Sequence, residues 1–137
     1  MRAKILICAE NIIIDQTTNN VSIINLFEQI NPPALPIILP RMTILSIVER
    51  EESDSEVIPF VIRISSGNQV VFEQTNEYNF QNLQRSRNIL LFGGMPITQP
   101  GILLFEILVN NSVFQTYKII VTTPPVPNPV PPPVQAP

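Results

Sequence analysis

The dominant period of the hydrophobic pattern along this chain is two, which is the period of a β-strand. Apolar runs are separated by clusters of turn-forming residues, and no long segment carries the spacing of an amphipathic helix. The pattern predicts eight strands, at about residues 4–14, 21–30, 41–49, 57–65, 69–74, 87–92, 102–109 and 112–121. Short strands at such regular intervals indicate an antiparallel β-sandwich, immunoglobulin-like or similar, with seven to eight strands.

The connections between the strands carry their own signals. Asn110 and Asn111 fit a two-residue type I′ turn, in which both residues need a positive φ. Residues 31–40 include four prolines, which lack the amide hydrogen that a central strand needs, so we predict a segment crossing between two sheets. Residues 75–86 are polar and irregular, and any helix should be short and lie there.

The end of the chain has a different composition. From Pro124 onward, eight of fourteen residues are proline, and such a segment should be extended polyproline II or disordered. We therefore predict a β-sandwich domain over residues 1–123 and a proline-rich tail over residues 124–137. The PxxP sequence at residues 129–132 leaves two readings of the tail open, a recognition motif or a passive end.

Composition removes the usual means of building an active site. The chain has no histidine, and its single cysteine, Cys8, lies in an apolar run without a base to activate it. We predict no catalytic residue, no metal site and no cofactor, and the lone cysteine is compatible with the reducing cytoplasm. No run approaches the ~20 apolar residues of a membrane-spanning helix, so no membrane span is expected.

Charge narrows the possible partners further. The net charge is −3, and the acidic segment 49–56 alone contributes −4, so the chain lacks the basic stripe that nucleic-acid binding requires. The carboxylates of this segment could bind Ca²⁺, with Asp15, Asn19 and Asn20 contributing from another loop. Their spacing matches no EF-hand loop, and a solvated loop is the simpler interpretation.

Several strands are apolar on both faces, and this leads to the predicted function. One face can fill the sandwich core, while the other must be covered by residues 31–40 or 75–86 or bind a partner. We expect a non-catalytic binding or assembly module that forms a homo-oligomer or binds another protein. The predicted interface residues are Leu6, Ile12, Ile14, Ile102, Leu104 and Leu108.

Two other functions stay open at this point. Glu10, Glu28 and Glu106 interrupt apolar strands, and a pair of them in a cleft could serve a small cofactor-free hydrolase or lyase. The acidic segment could instead belong to a Ca²⁺-dependent binding domain. A deep polar cleft holding two carboxylates would favour the enzyme.

The order of features between residues 5 and 123 carries a family resemblance. The apolar run 5–9 is followed by a polar turn and then by the strand around residues 20–30, although a glycine expected there is absent. Later, Pro100-Gly101-Ile102 enters a strand in which Phe105 stands near an expected aromatic position. These features resemble a bacterial family of small β-sandwich proteins known only as a domain of unknown function. The resemblance implies a fold and brings no catalytic residues.

Overall fold

In a computed structural model, which describes residues 1–126 and residue 134, the chain forms nine β-strands and no helix within that described part. The strands are β1 (Arg2–Ile14), β2 (Val21–Leu26), β3 (Gln29–Ile30), β4 (Ile37–Glu49), β5 (Val57–Ser66), β6 (Gln69–Asn79), β7 (Arg85–Ile97), β8 (Gly101–Val109) and β9 (Ser112–Val121).

The strands form two sheets packed face to face. Sheet A has the order β2-β1-β4-β7, and sheet B has the order β3-β9-β8-β5-β6. All pairs are antiparallel except the short parallel pair of β3 with β9. The order β1-β4-β7 against β6-β5-β8-β9 matches strands A-B-E and C′-C-F-G of immunoglobulin-like sandwiches. The predicted β-sandwich is therefore confirmed, with one strand more than expected and one parallel pair.

Alternate residues of both sheets fill the core, as the period of two requires. Phe60 of β5 stacks on Tyr78 of β6, with ring centroids 4.1 Å apart. The hydroxyl of Tyr78 forms a hydrogen bond with that of Ser46 on β4, so a satisfied polar pair connects the sheets. The core comprises Leu6, Cys8, Ile30, Met42, Ile44, Val48, Phe60, Ile62, Ile64, Tyr78, Phe80, Met95, Ile97, Leu103, Phe105, Ile107, Ile119 and Val121.

The proline-rich crossing is confirmed, but it is shorter than predicted. The chain leaves sheet A after β2, joins sheet B in β3 and returns to sheet A in β4, which already begins at Ile37. Pro40 lies inside β4 opposite Gly94, whose φ is 77°, and this pair is missing from an otherwise continuous ladder. The strand tolerates Pro40 because its missing amide hydrogen falls at this local irregularity.

The remaining predictions on local structure have mixed outcomes. Asn110 and Asn111 have φ values of 53° and 63°, which confirms the type I′ turn. Residues 75–86 contain no helix, because β6 continues to Asn79 and β7 begins at Arg85. In the predicted tail, residues 124–126 follow β9 without regular secondary structure, and the PxxP sequence lies outside the described residues.

Candidate functional site

The first hairpin extends beyond its sheet. β1 pairs with β4 only as far as Ala9, which lies opposite Thr43. Beyond that point β1 pairs with β2 alone, up to Ile14 opposite Val21. We refer to residues 10–26 as the arm. A two-stranded hairpin is marginally stable by itself, so the arm needs support from the rest of the domain.

The arm folds back over the outer face of sheet A, the face directed away from sheet B. Near its base, the Thr43 hydroxyl donates a hydrogen bond to the carbonyl oxygen of Glu10, at 3.3 Å. At its tip, the Arg87 guanidinium donates to the side-chain and backbone oxygens of Asn19, at 3.3 and 3.0 Å. Thr43 belongs to β4 and Arg87 to β7, so the arm passes across both strands.

Burial on this face follows the course of the arm. Leu45 is 1% exposed and Ala9 and Thr43 are also buried, yet none of them belongs to the core between the sheets. Leu91 lies on the same face opposite Thr43 and is 55% exposed. The arm therefore covers part of the second apolar face. The sequence predicts residues 31–40 or 75–86 as the segment that covers this face. Of these residues, Leu83 lines a small pocket at the tip of the arm.

The structure places the predicted interface residues in different environments. Leu6 is 5% exposed and belongs to the core, so it cannot form part of a surface. The prediction chose the wrong face of β1 at this point, because the strand is apolar on both faces and its sequence does not distinguish them. The other five residues divide between two surfaces, with Ile12 and Ile14 on the arm and Ile102, Leu104 and Leu108 on the outer face of sheet B.

The outer face of sheet B is not continuously apolar. Arg63 lies at its centre and forms ion pairs with Glu73 and Glu106, at 3.4 and 3.8 Å. These charges separate Ile102 at one end of β8 from Leu108 at the other, and Leu108 is itself buried. This face therefore offers two small apolar areas rather than one surface.

The arm presents a set of exposed aliphatic side chains. Five of them are each between 39 and 46% exposed: Ile13, Ile14, Ile23, Ile24 and Leu26. The register places Ile13 and Ile24 on one face of the hairpin, and Ile14 and Ile23 on the other. Residues 16–27 contain no charged side chain. Four of these five residues were missed, although the length of this uncharged run could have indicated them.

Three carboxylates of the acidic segment form close ion pairs. Glu49 lies 2.9 Å from Arg2 and 3.1 Å from Arg85, and a hydrogen bond from Arg85 lowers the pKa of Glu49. Glu56 pairs with Arg50 at 2.7 Å, and Asp54 pairs with the terminal amino group at 2.7 Å. Within the described residues, no group of three or more acidic or cysteine side chains is placed to hold a metal ion.

The three candidate catalytic carboxylates lie apart. Glu10 is on the arm and accepts a hydrogen bond from Asn25 at 2.7 Å. Glu28 is exposed in the connection between β2 and β3, and Glu106 is on the outer face of sheet B. A pocket of about 500 Å³ lies between the acidic segment and the β8–β9 turn, and Asp54 is the one carboxylate in its lining.

Two buried titratable groups belong to the core. Burial raises the pKa of the Cys8 thiol to about 12 and that of the Tyr78 hydroxyl to about 12. A thiol with so high a pKa is a poor nucleophile at neutral pH. Cys8 has no disulfide partner, and it packs as a small hydrophobic residue, as predicted.

Comparison with known proteins gives a family and no function. The described part of the chain has no helix of the length and apolarity needed to cross a membrane. No functionally curated protein matches the chain. The model of a family of unknown function, DUF6941, matches residues 4–122, a range that reaches from β1 to just past β9 and so includes the arm. The chain therefore belongs to this family of unknown function.

Proposed function

We propose that this protein is a non-catalytic binding or assembly module, and that its arm binds another subunit or a protein partner. The observation that carries the proposal is the set of five aliphatic side chains of the arm, each 39 to 46% exposed, in a hairpin whose second strand is uncharged. Apolar side chains that are scattered singly are normal on a protein surface, whereas a group of them marks an interaction site.

The size of this apolar surface limits the kind of binding. Burying an isoleucine or leucine completely is worth about 1.5–3 kcal/mol, so five that are less than half exposed would contribute roughly 3–6 kcal/mol. Association costs about 4–15 kcal/mol in lost rotational and translational freedom. A stable complex therefore needs the partner to add comparable apolar area, or to form backbone hydrogen bonds with the arm.

The alternatives have less support. A cofactor-free hydrolase or lyase would need two carboxylates in one cleft, and Glu10, Glu28 and Glu106 lie on separate parts of the molecule. A Ca²⁺-dependent domain would need free carboxylate oxygens, and Glu49, Asp54 and Glu56 already pair with cations. We further propose that the module acts in the cytoplasm of a bacterial host, where a free cysteine stays reduced.

The proposal is tested by affinity capture from an extract of the native host, together with light scattering of the purified protein. The double variant Ile13→Ser/Ile24→Ser removes apolar side chains from one face of the arm. Ile102→Ser/Ile120→Ser is the matched control, since these residues are about equally exposed and pair with each other on sheet B. We expect the arm variant alone to lose captured protein or self-association. Equal behaviour of both variants and the wild type would overturn the proposal.

A further inference from the structure

β2 is an edge strand that has neither a charged residue nor a proline to prevent pairing. Proteins guard exposed edges with charged residues, proline or bulges. The edge strand β6 carries Glu73 and Glu77, and the edge strand β7 carries two arginines and Pro96. By contrast, β2 reads Val-Ser-Ile-Ile-Asn-Leu and has no neighbour on its outer side among the described residues.

The backbone of β2 has hydrogen-bonding groups directed to this open side. The Asp15 amide donates to the Asn20 carbonyl at 2.9 Å, which fixes the first hydrogen-bonded pair of the hairpin. Pairs along an antiparallel ladder alternate, so the backbone groups of Val21 and Ile23 point away from β1. The amide of Ile12, opposite Ile23, agrees with this assignment because it bonds to the Asn11 side chain instead of to β2.

We infer that β2 pairs antiparallel with β2 of a second copy of this chain, an inference that rests on the proposed function. Two copies related by a twofold axis would join their A sheets into one continuous sheet, with the arms at its centre. The side chain of Ile23 would then lie opposite Ile23 or Val21 of the second copy, so an apolar row continues across the junction on one face.

The charge distribution favours a second copy as the occupant. Like charges placed opposite each other destabilise a strand pair, and a strand that pairs with itself places each side chain near its own kind. The neutral run 16–27 avoids this repulsion, and the nearest charged residues, Asp15 and Glu28, lie outside it. Asn25, with a φ of 55°, limits regular pairing to residues 21–24.

The test is sedimentation velocity of the full chain over the micromolar range with three variants. Ile23→Pro removes an amide that points to the open side, so it should block pairing between copies while leaving the β1–β2 pairing intact. Ile23→Lys places a charge at the junction between the copies, and it replaces the proline variant in the test if that variant does not fold. Ile120→Lys is the control, because Ile120 is about as exposed but lies on sheet B.

We expect the wild type and Ile120→Lys to form a dimer of twice 15.4 kDa. Both Ile23 variants should raise the dissociation constant by about tenfold or more, with an unchanged circular dichroism spectrum. A wild type that stays monomeric, or a dimer that neither Ile23 variant weakens, would overturn the inference. If the wild type is monomeric but the captured protein is still lost in Ile13→Ser/Ile24→Ser, the proposed function stands and only this inference fails. If the wild type is monomeric and that variant captures as much protein as the wild type, the proposed function and this inference both fail.

Discussion

Replacing Leu45 with alanine tests whether the arm packs on sheet A. Leu45 is 1% exposed, although it lies on the outer face of the sheet between Ile7 and Ile89. If the arm covers it, Leu45→Ala removes a fully buried side chain and leaves a cavity, which costs about 2–5 kcal/mol of unfolding free energy. If the arm instead lay away from the sheet, Leu45 would be a surface residue, and the cost would be within about 0.5 kcal/mol.

Leu91→Ala is the matched control for this substitution. Leu91 is the same residue type on the same face and on the neighbouring strand, but it is 55% exposed. Because less than half of its area is buried, we expect a cost of about 1 kcal/mol or less. Urea denaturation measures the free energy of unfolding of both variants, provided that the slope of this free energy against urea concentration is the same as in the wild type. Equal costs for the two variants would refute the packed arm.

Three further predictions concern the core, a turn and the tail. Burial raises the pKa values of Tyr78 and Cys8 to about 12, so their contribution to the free energy of unfolding is complete below about pH 9 and is lost as the pH rises toward 12. Denaturation at a series of pH values measures this loss, and Tyr78→Phe should reduce it by roughly 2–3 kcal/mol. Asn111 has a φ of 63°, so Asn111→Ala should cost about 1–2 kcal/mol in thermal unfolding, and an equal loss in Asn111→Gly would contradict the role of φ. Deleting residues 124–137 should shift the thermal midpoint by no more than about two degrees, and a larger drop would show that the tail packs on the domain.

Local features of the fold were predictable because the residues that determine them are adjacent in sequence. β9 spans Ser112–Val121, the predicted range, since it directly follows a turn of two asparagines. β4 was predicted too short at its start, because Pro40 reads as a break in sequence. Its compatibility with the strand depends on Gly94, which is more than fifty residues away along the chain.

The position of the arm was not predictable, because it depends on where β1 parts from β4. Glu10 and Asn11 interrupt the apolar run of β1 at this point, but two polar residues do not by themselves indicate that the strand changes partner after Ala9. Leu6 was assigned to the wrong face because residues 5–8 are apolar on both faces of the strand. The sequence correctly indicated a second apolar face on this sheet, but it could not identify the segment that covers it.

The arm covers one apolar surface and exposes another, and this asymmetry is the strongest argument for a partner. A hairpin that served only as a cover would be apolar toward the sheet and polar toward solvent. Here Ile13 and Ile24 lie on one face of the arm, and Ile14 and Ile23 lie on the other. Whichever face packs on Leu45, isoleucines are left over on the opposite face. Packing on sheet A fully buries neither set, since all four side chains stay 39 to 46% exposed, so both sets are available to the partner that we propose.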